Sequence, residues 1–259
     1  MFKSAIVKKP CKNFSQGLTT SSLGLPDYER VLKQHENYIK TLRKCGLEVY
    51  ILDADEKYPD STFVEDTAIV NEKCAIITNP GAQSRKGEVQ AIFDYIKEKY
   101  NFEKIERIES PGTLDGGDIM RIDKCYYIGL SSRTNQEGTN QLAKILSSYG
   151  FTSHVVKMKE SLHLKSGLNY IGDNCLLAID EFKDDPLFQQ YKLIQVEKEE
   201  EYAANCILVN GYVIMPKGYH KLKESLTKEN YMIIELEMSE FKKMDGGLSC
   251  LSLRFPPKI

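Results

Sequence analysis

No apolar run in this 259-residue chain approaches the roughly 20 residues that a membrane-spanning helix needs; the longest are strand-sized. No block of lysine and arginine stands out, and the net charge is only −2, so the chain lacks the positive surface on which nucleic-acid or anionic-membrane binding depends. The opening Met1-Phe-Lys-Ser-Ala-Ile-Val-Lys-Lys9 has too short an apolar stretch for a signal peptide. Seven cysteines, at 11, 45, 74, 125, 175, 206 and 250, form no CxxC pair and no even framework. Most lie inside apolar strand or helix patterns, which reads as free thiols buried in a reducing cytoplasm. Histidine is scarce. Of four, His35, His154 and His220 stand in helix-like or surface settings, which leaves His163. Against these absences, 41% hydrophobic and 28% charged residues are ordinary for a globular protein, and the length suffices for a substantial core.

What is present is repetition. Four hairpin patterns recur, Thr67–Thr78, Asp118–Gly129, Leu168–Ile179 and Ala204–Met215, the last turning on Asn210-Gly211, a strong type I′ signal. Their turns fall near residues 72, 124, 173 and 210, at intervals close to the roughly 20–50-residue period of repeat architectures. Helical stretches follow the hairpins, such as Glu88–Tyr100, Gln136–Tyr149 and Tyr219–Glu229, and then extended segments such as Thr152–Met158 and Met232–Glu237. Each unit reads strand, strand, helix, strand. A fifth unit is split between the chain ends. Leu248–Phe255 supplies one strand, Ser4–Lys8 its partner, Asp27–Cys45 an amphipathic helix stopped by Gly46, and Leu47–Leu52 the closing strand. Pairing the two ends would close a five-unit α/β propeller with helices outside and first strands around the axis. The competing architecture is an α/β sandwich with mixed sheets.

In such a ring the residues that open each unit become neighbours. They are polar: Glu65-Asp66, then Asp115 and Asp118, then His163, then Asn205, and finally Cys250 in Asp245-Gly-Gly-Leu-Ser-Cys250. Polar residues leading repeatedly into apolar strands are costly unless hydrogen-bonded or functional. A thiol, an imidazole and several carboxylates meeting at one point would suit an enzyme acting on a guanidinium.

Seven blocks, in order along nearly the whole chain, carry a family likeness: Pro59–Asp66, Asn79–Arg85, Thr113–Asp118, Gly129–Asn135, Leu162–Ser166, Ala203–Cys206 and Met238–Cys250. Together they resemble the dimethylarginine dimethylaminohydrolases, guanidino-group-modifying enzymes of the pentein fold. The resemblance implies a single catalytic domain over residues 1–259 and no cofactor. It implies a small guanidino substrate, and it makes a homodimer plausible.

It also implies roles. Cys250 matches the nucleophile and His163 the general acid/base. Asp66 and Asp115 match carboxylates that hold the guanidinium, although some bacterial relatives carry Glu at position 115. Asp60 and Glu65 match polar substrate contacts, Arg85 and Arg133 the arginines that receive the α-carboxylate, and Leu18 a lid residue. Met244 matches a position that contributes its backbone carbonyl. Apart from the resemblance, methyl groups on the substrate need a small apolar gap near the departing nitrogen, for which Phe63 is a candidate wall. Asp118 suits either catalysis or a turn, while Lys165 and Asn205 read as structural. Cys250 and His163 are also a pair that zinc could occupy as an inhibitor.

The chemistry explains the residue types. A guanidinium carbon is a poor electrophile that a soft thiolate can attack, with the imidazole protonating the departing amine and then activating water. Three outcomes follow from the sequence: hydrolysis of Nω-methylated arginine to citrulline, hydrolysis of another guanidine such as free arginine, or a non-catalytic binding ring of the same fold. Retention of thiol, imidazole and carboxylates together favours the first two.

Overall fold

The computed structural model describes residues 1–100, 102 and 104–257, and its strands form five three-stranded sheets. The chain opens with β1 (Ser4–Lys8), α1 (Tyr28–Lys44) and β2 (Glu48–Leu52). The next unit is β3 (Ala68–Val70), β4 (Ala75–Ile77), α2 (Val89–Lys99) and β5 (Ile105–Arg107), and β6 (Ile119–Ile122), β7 (Cys125–Leu130), α3 (Gln136–Ser148) and β8 (Thr152–Lys157) repeat it. The short helix α4 (Leu164–Gly167) introduces β9 (Leu168–Tyr170), β10 (Cys175–Ala178) and β11 (Lys192–Gln195). Then come β12 (Ile207–Val209), β13 (Tyr212–Pro216), α5 (His220–Lys228) and β14 (Met232–Leu236). The chain finishes with α6 (Ser239–Lys242) and β15 (Leu253–Phe255).

One rule governs all five sheets. The middle strand pairs antiparallel with the first and parallel with the third. In the fifth sheet the first strand is β15, which pairs antiparallel with β1 at Ser4↔Phe255, Ala5↔Arg254 and Ile6↔Leu253. The ends therefore close the ring, as the split repeat implies. First strands from every unit line an axial cavity of about 440 Å³, with Ile69, Met120, Tyr170, Leu208 and Leu253 among its walls.

Local chemistry accounts for the boundaries. The Asp27 carboxylate accepts the Arg30 N–H to cap α1, and Asn135 caps α3 through the Gly138 N–H. Asn210 and Gly211 both take positive φ (49° and 91°), the geometry that a two-residue hairpin turn requires. Two expectations fail. The third unit has no α-helix between its second and third strands, only a 3₁₀ turn at Pro186–Phe188. The connection is short and Asp185-Pro186 interrupts it, so the fully buried rings of Phe182 and Phe188 fill the layer that a helix fills elsewhere. The apolar run Leu248–Phe255 is not one strand either: Ser249–Leu251 coils into a 3₁₀ turn and β15 starts at Leu253.

The core bears on function at α1. Tyr38 and Leu42 are fully buried with Phe14, Phe241, Leu248 and Leu251, each large side chain contributing about 1.5–3 kcal/mol of transfer energy. The Tyr38 hydroxyl donates to the Leu248 carbonyl (2.9 Å) and pairs with Ser252 Oγ (2.8 Å), so this helix grips the chain on both sides of Cys250. Among the described residues no helix is long and apolar enough to cross a membrane.

Candidate active site

Tight turns precede the first strands at one end of the ring. Val64–Thr67 carries Glu65 and Asp66, Gly116–Asp118 follows Asp115, α4 follows His163, and Ser249–Leu251 carries Cys250. Such turns aim consecutive residues in different directions, so one side chain faces the ring's end and its neighbour the axis. The larger, axial cavity reaches the opposite, hairpin end, lined there by Val70, Asp123 and Leu208. The chemistry converges instead on a smaller pocket of about 200 Å³, where Cys250, His163 and Asp66 share walls with Phe63, Arg85 and Arg133. Leu18, Asp60 and Met244 complete its mouth.

His163 is 8% exposed, and its Nε2 lies 3.1 Å from Asp115 Oδ2 and 4.0 Å from Asp66 Oδ1. Burial works against the imidazolium, but Asp66, the Asp115 hydrogen bond and Asp118 outweigh it and raise the pKa to about 9. The imidazole is therefore protonated at neutral pH. Cys250 goes the other way: burial, then the Glu65 and Asp66 charges, push its thiol up to about 12, against the smaller pull of Lys165 and of the Gly247 N–H, which lies 3.5 Å from Sγ. Before substrate arrives the pair is imidazolium and neutral thiol.

Asp66 is ionised. Burial opposes this, but His163 and Arg85 hold the carboxyl well below its usual range, with Oδ2 accepting from Arg85 Nη1 (2.6 Å) and Oδ1 from the Gly117 amide (2.8 Å). Gly117 has to be glycine: a Cβ there would sit 2.8 Å from the His163 ring and 2.9 Å from Asp66 Oδ1. Asp115 lies behind the imidazole and outside the pocket wall, fully buried, with Oδ1 accepting the Gly81 amide (2.8 Å). Because it stands outside the pocket that Asp66 lines and bonds the imidazole, it orients His163 where a grip on the guanidinium was expected. Asp118 is fully buried and accepts from Leu164 N, Ser131 Oγ and Thr134 Oγ1. It ties the His163 turn to the Arg133 loop.

The two arginines differ. Arg85 is 5% exposed, and its donors reach Glu88, Asp66 and the Phe63 carbonyl, which fills most of the fork and makes it above all a support for Asp66. Arg133 has a buried Nη1 with no partner among the described residues, a donor left for a ligand. Asp60 holds the lid: both carboxylate oxygens accept the Leu18 amide at 3.1 Å. Glu65 departs most from expectation, since its side chain turns to the axial cavity, binding Lys165 and Ser249.

Sequence reasoning passed over several contributors. Thr19 and Thr20 bond to Asp245, latching the segment after Leu18 across the pocket. Leu162 lines the same pocket. Glu88 and Gly81 support Asp66 and Asp115 from beyond the polar openings, and only Gly81's place in the Asn79–Arg85 block could have flagged it. Asp66, Asp115 and His163 could offer a metal three buried donor atoms within 4.8 Å of one another, but Arg85 and Gly81 already occupy their carboxylates.

A family model described as N,N dimethylarginine dimethylhydrolase, eukaryotic, matches residues 25–252. The chain is 48% identical over 255 residues to the N(G),N(G)-dimethylarginine dimethylaminohydrolase of Pseudomonas aeruginosa, covering 98% of this chain and 100% of that one. A crystal structure of that bacterium's enzyme, a cysteine-to-serine mutant complexed with citrulline, superposes with a TM-score of 0.96 at 47% identity over 98% of this chain and 100% of that one. A second structure with the same TM-score, identity and coverage is a histidine-to-glycine variant of a dimethylarginine dimethylaminohydrolase, an adduct with S-methyl-L-thiocitrulline.

Proposed function

The chain belongs to the dimethylarginine dimethylaminohydrolase family, and from that premise we propose that it hydrolyses Nω-methylated L-arginine to citrulline and a methylamine through a covalent intermediate on Cys250. One observation carries the reading: a neutral thiol, an imidazolium, an ionised Asp66 and an unpartnered Arg133 nitrogen share one lidded pocket.

The substrate guanidinium is a cation, and of the carboxylates lining the pocket Asp66, 4.0 Å from the His163 ring nitrogen, is the one placed to receive it. Its positive charge offsets the Glu65 and Asp66 charges that hold the thiol up, so the thiol gives its proton to solvent when substrate binds, His163 being protonated already. The thiolate attacks the guanidinium carbon to form a tetrahedral adduct. His163 gives its proton to the dimethylamine nitrogen, the carbon–nitrogen bond breaks, and an amidino-thioether remains on Cys250. Neutral His163 then takes a proton from water as the oxygen attacks the same carbon. The carbon–sulfur bond breaks and leaves citrulline and free enzyme. Asp115 keeps His163 turned to its task, and Arg133 receives the α-carboxylate. Leu18 and Met244 shape the mouth, Phe63 the apolar wall.

In this reading residues 1–259 act as one catalytic domain in the cytoplasm, a setting that seven unpaired cysteines support. Self-association is supported by exposed apolar side chains on outer strands, Ile51 on β2, Val155 on β8 and Met232 on β14.

The test is turnover of Nω,Nω-dimethyl-L-arginine, monomethylarginine, arginine and agmatine, followed by citrulline or ureido product. Dimethylarginine should give the highest kcat/KM. Cys250→Ser should abolish turnover, and His163→Ala should lower it by about 10²–10⁴-fold. An equal or higher kcat/KM for free arginine would overturn the substrate assignment; turnover by Cys250→Ser would overturn the mechanism.

A further inference from the structure

We propose that Glu65 is a positioning residue for the nucleophile and touches no substrate atom: with Ser249, Asn205 and Lys165 it closes a buried hydrogen-bond circuit that fixes the turn carrying Cys250. The inference rests on the cysteine-hydrolase reading above.

Each link is short. Lys165 Nζ donates to Glu65 Oε1 (2.6 Å) and Ser249 Oγ donates to Glu65 Oε2 (2.7 Å). The Ser249 amide donates to Asn205 Oδ1 (2.9 Å), and Asn205 Nδ2 donates to Ser249 Oγ (3.1 Å) and to the Lys165 carbonyl (2.8 Å), which completes the loop. Glu65 is 4% exposed, Asn205 6% and Ser249 1%. The four residues belong to four different units of the ring, so the circuit is a cross-brace at its axis. Both neighbours of the thiol depend on it. Ser249 is a member, and Gly247, whose amide faces Sγ, packs so closely on Asn205 that a Cβ would lie 2.5 Å from that side chain. A buried circuit with every member satisfied is rigid, and cutting one link strands its partner.

The circuit also sets charge. Glu65 is a carboxylate behind the thiol and Asp66 one in front, while Lys165 on the circuit, Arg254 (3.6 Å from Glu65), His163 across the pocket and Tyr202 are the other ionisable groups in its surroundings. Removing the Glu65 charge should make the thiol easier to ionise even as its placement suffers. A purely structural residue would not produce that combination.

The experiment uses the full-length enzyme with Glu65→Gln, Ser249→Ala and the charge-balanced pair Glu65→Gln with Lys165→Met. It measures kcat and KM for dimethylarginine and, without substrate, the pH dependence of Cys250 alkylation by iodoacetamide. The expected result is a kcat lowered by about 10- to 100-fold in Ser249→Ala and Glu65→Gln, with KM within about threefold. The alkylation midpoint should move to lower pH by about one unit in Glu65→Gln and stay unchanged in Ser249→Ala. A raised KM with unchanged kcat would make Glu65 a substrate contact and overturn the proposal, as would an alkylation profile that Glu65→Gln leaves in place. If Glu65→Gln fails to fold, the charge-balanced pair takes the kinetic test instead: a lowered kcat with KM within about threefold supports the proposal, and a raised KM with unchanged kcat overturns it. Because alkylation needs no substrate, its outcome is independent of whether dimethylarginine is the right one.

Discussion

Asp115→Asn removes one of the carboxylates that surround His163 while keeping nearly the same shape. The contact it weakens is 3.1 Å long and fully buried on the carboxylate side. A hydrogen bond to a charged partner contributes about 1.5–3 kcal/mol, and each 1.36 kcal/mol is one pKa unit, so the imidazole should fall by roughly one to two units. From about 9 in the native enzyme it should drop to between about 7 and 8. The sign of the stability effect follows from the direction. A histidine raised above its unfolded value of about 6.5 stabilises the fold fully below that pH, and the contribution is lost as pH rises through about 9. For the native enzyme the contribution is on the order of 3 kcal/mol; in Asp115→Asn it should shrink by about half, and its loss should be complete at lower pH. NMR titration of the imidazole, with His163→Ala to assign the signal, reads the pKa directly, and thermal melts across pH 6–10 read the linkage. The basic limb of kcat should move to lower pH by the same amount, since the imidazolium is the acid. An unmoved His163 titration in Asp115→Asn would refute this account of the site.

Other perturbations separate binding from chemistry. Gly117→Ala should cost about 1–3 kcal/mol of stability through overpacking and, by displacing His163, about 10²-fold in kcat; melts and steady-state kinetics check both. Arg133→Ala should raise KM by about 10- to 100-fold with kcat little changed, and with the native enzyme agmatine should fall below arginine, which differs from it only in carrying the carboxylate, by a similar factor. Asp245→Ala removes the acceptor that latches Thr19 and Thr20. It should raise KM by about 3- to 10-fold and leave Cys250 alkylation in the empty enzyme unslowed.

The ring was legible in the sequence because hairpins recur and their turns carry their own chemistry, as Asn210-Gly211 does. The third unit was less so: the repeat implies a helix after its hairpin, and only packing reveals that Phe182 and Phe188 take the helix's place. Site membership was legible at the first polar residue of each unit. Direction was not. Glu65 and Asp66 are adjacent, yet a tight turn sends one to the axis and the other to the pocket, and no periodicity encodes that choice. Asp115 and Asp118 were similarly misread or left open because their partners, the Gly81 and Leu164 amides, are backbone groups without a side-chain signature.

The pairing of β15 with β1 has a consequence in time. Ile6 meets Leu253, a contact spanning nearly the entire chain, and such contacts form late because their loop-closure entropy must be met before they reward it. Cys250 lies three residues before that pairing. During synthesis from the N-terminus the other four sheets, with His163 and the carboxylates, emerge before the thiol does. A growing chain therefore holds His163 and the acidic residues with no Cys250 sulfur among them, and the thiol arrives with the strand that shuts the ring.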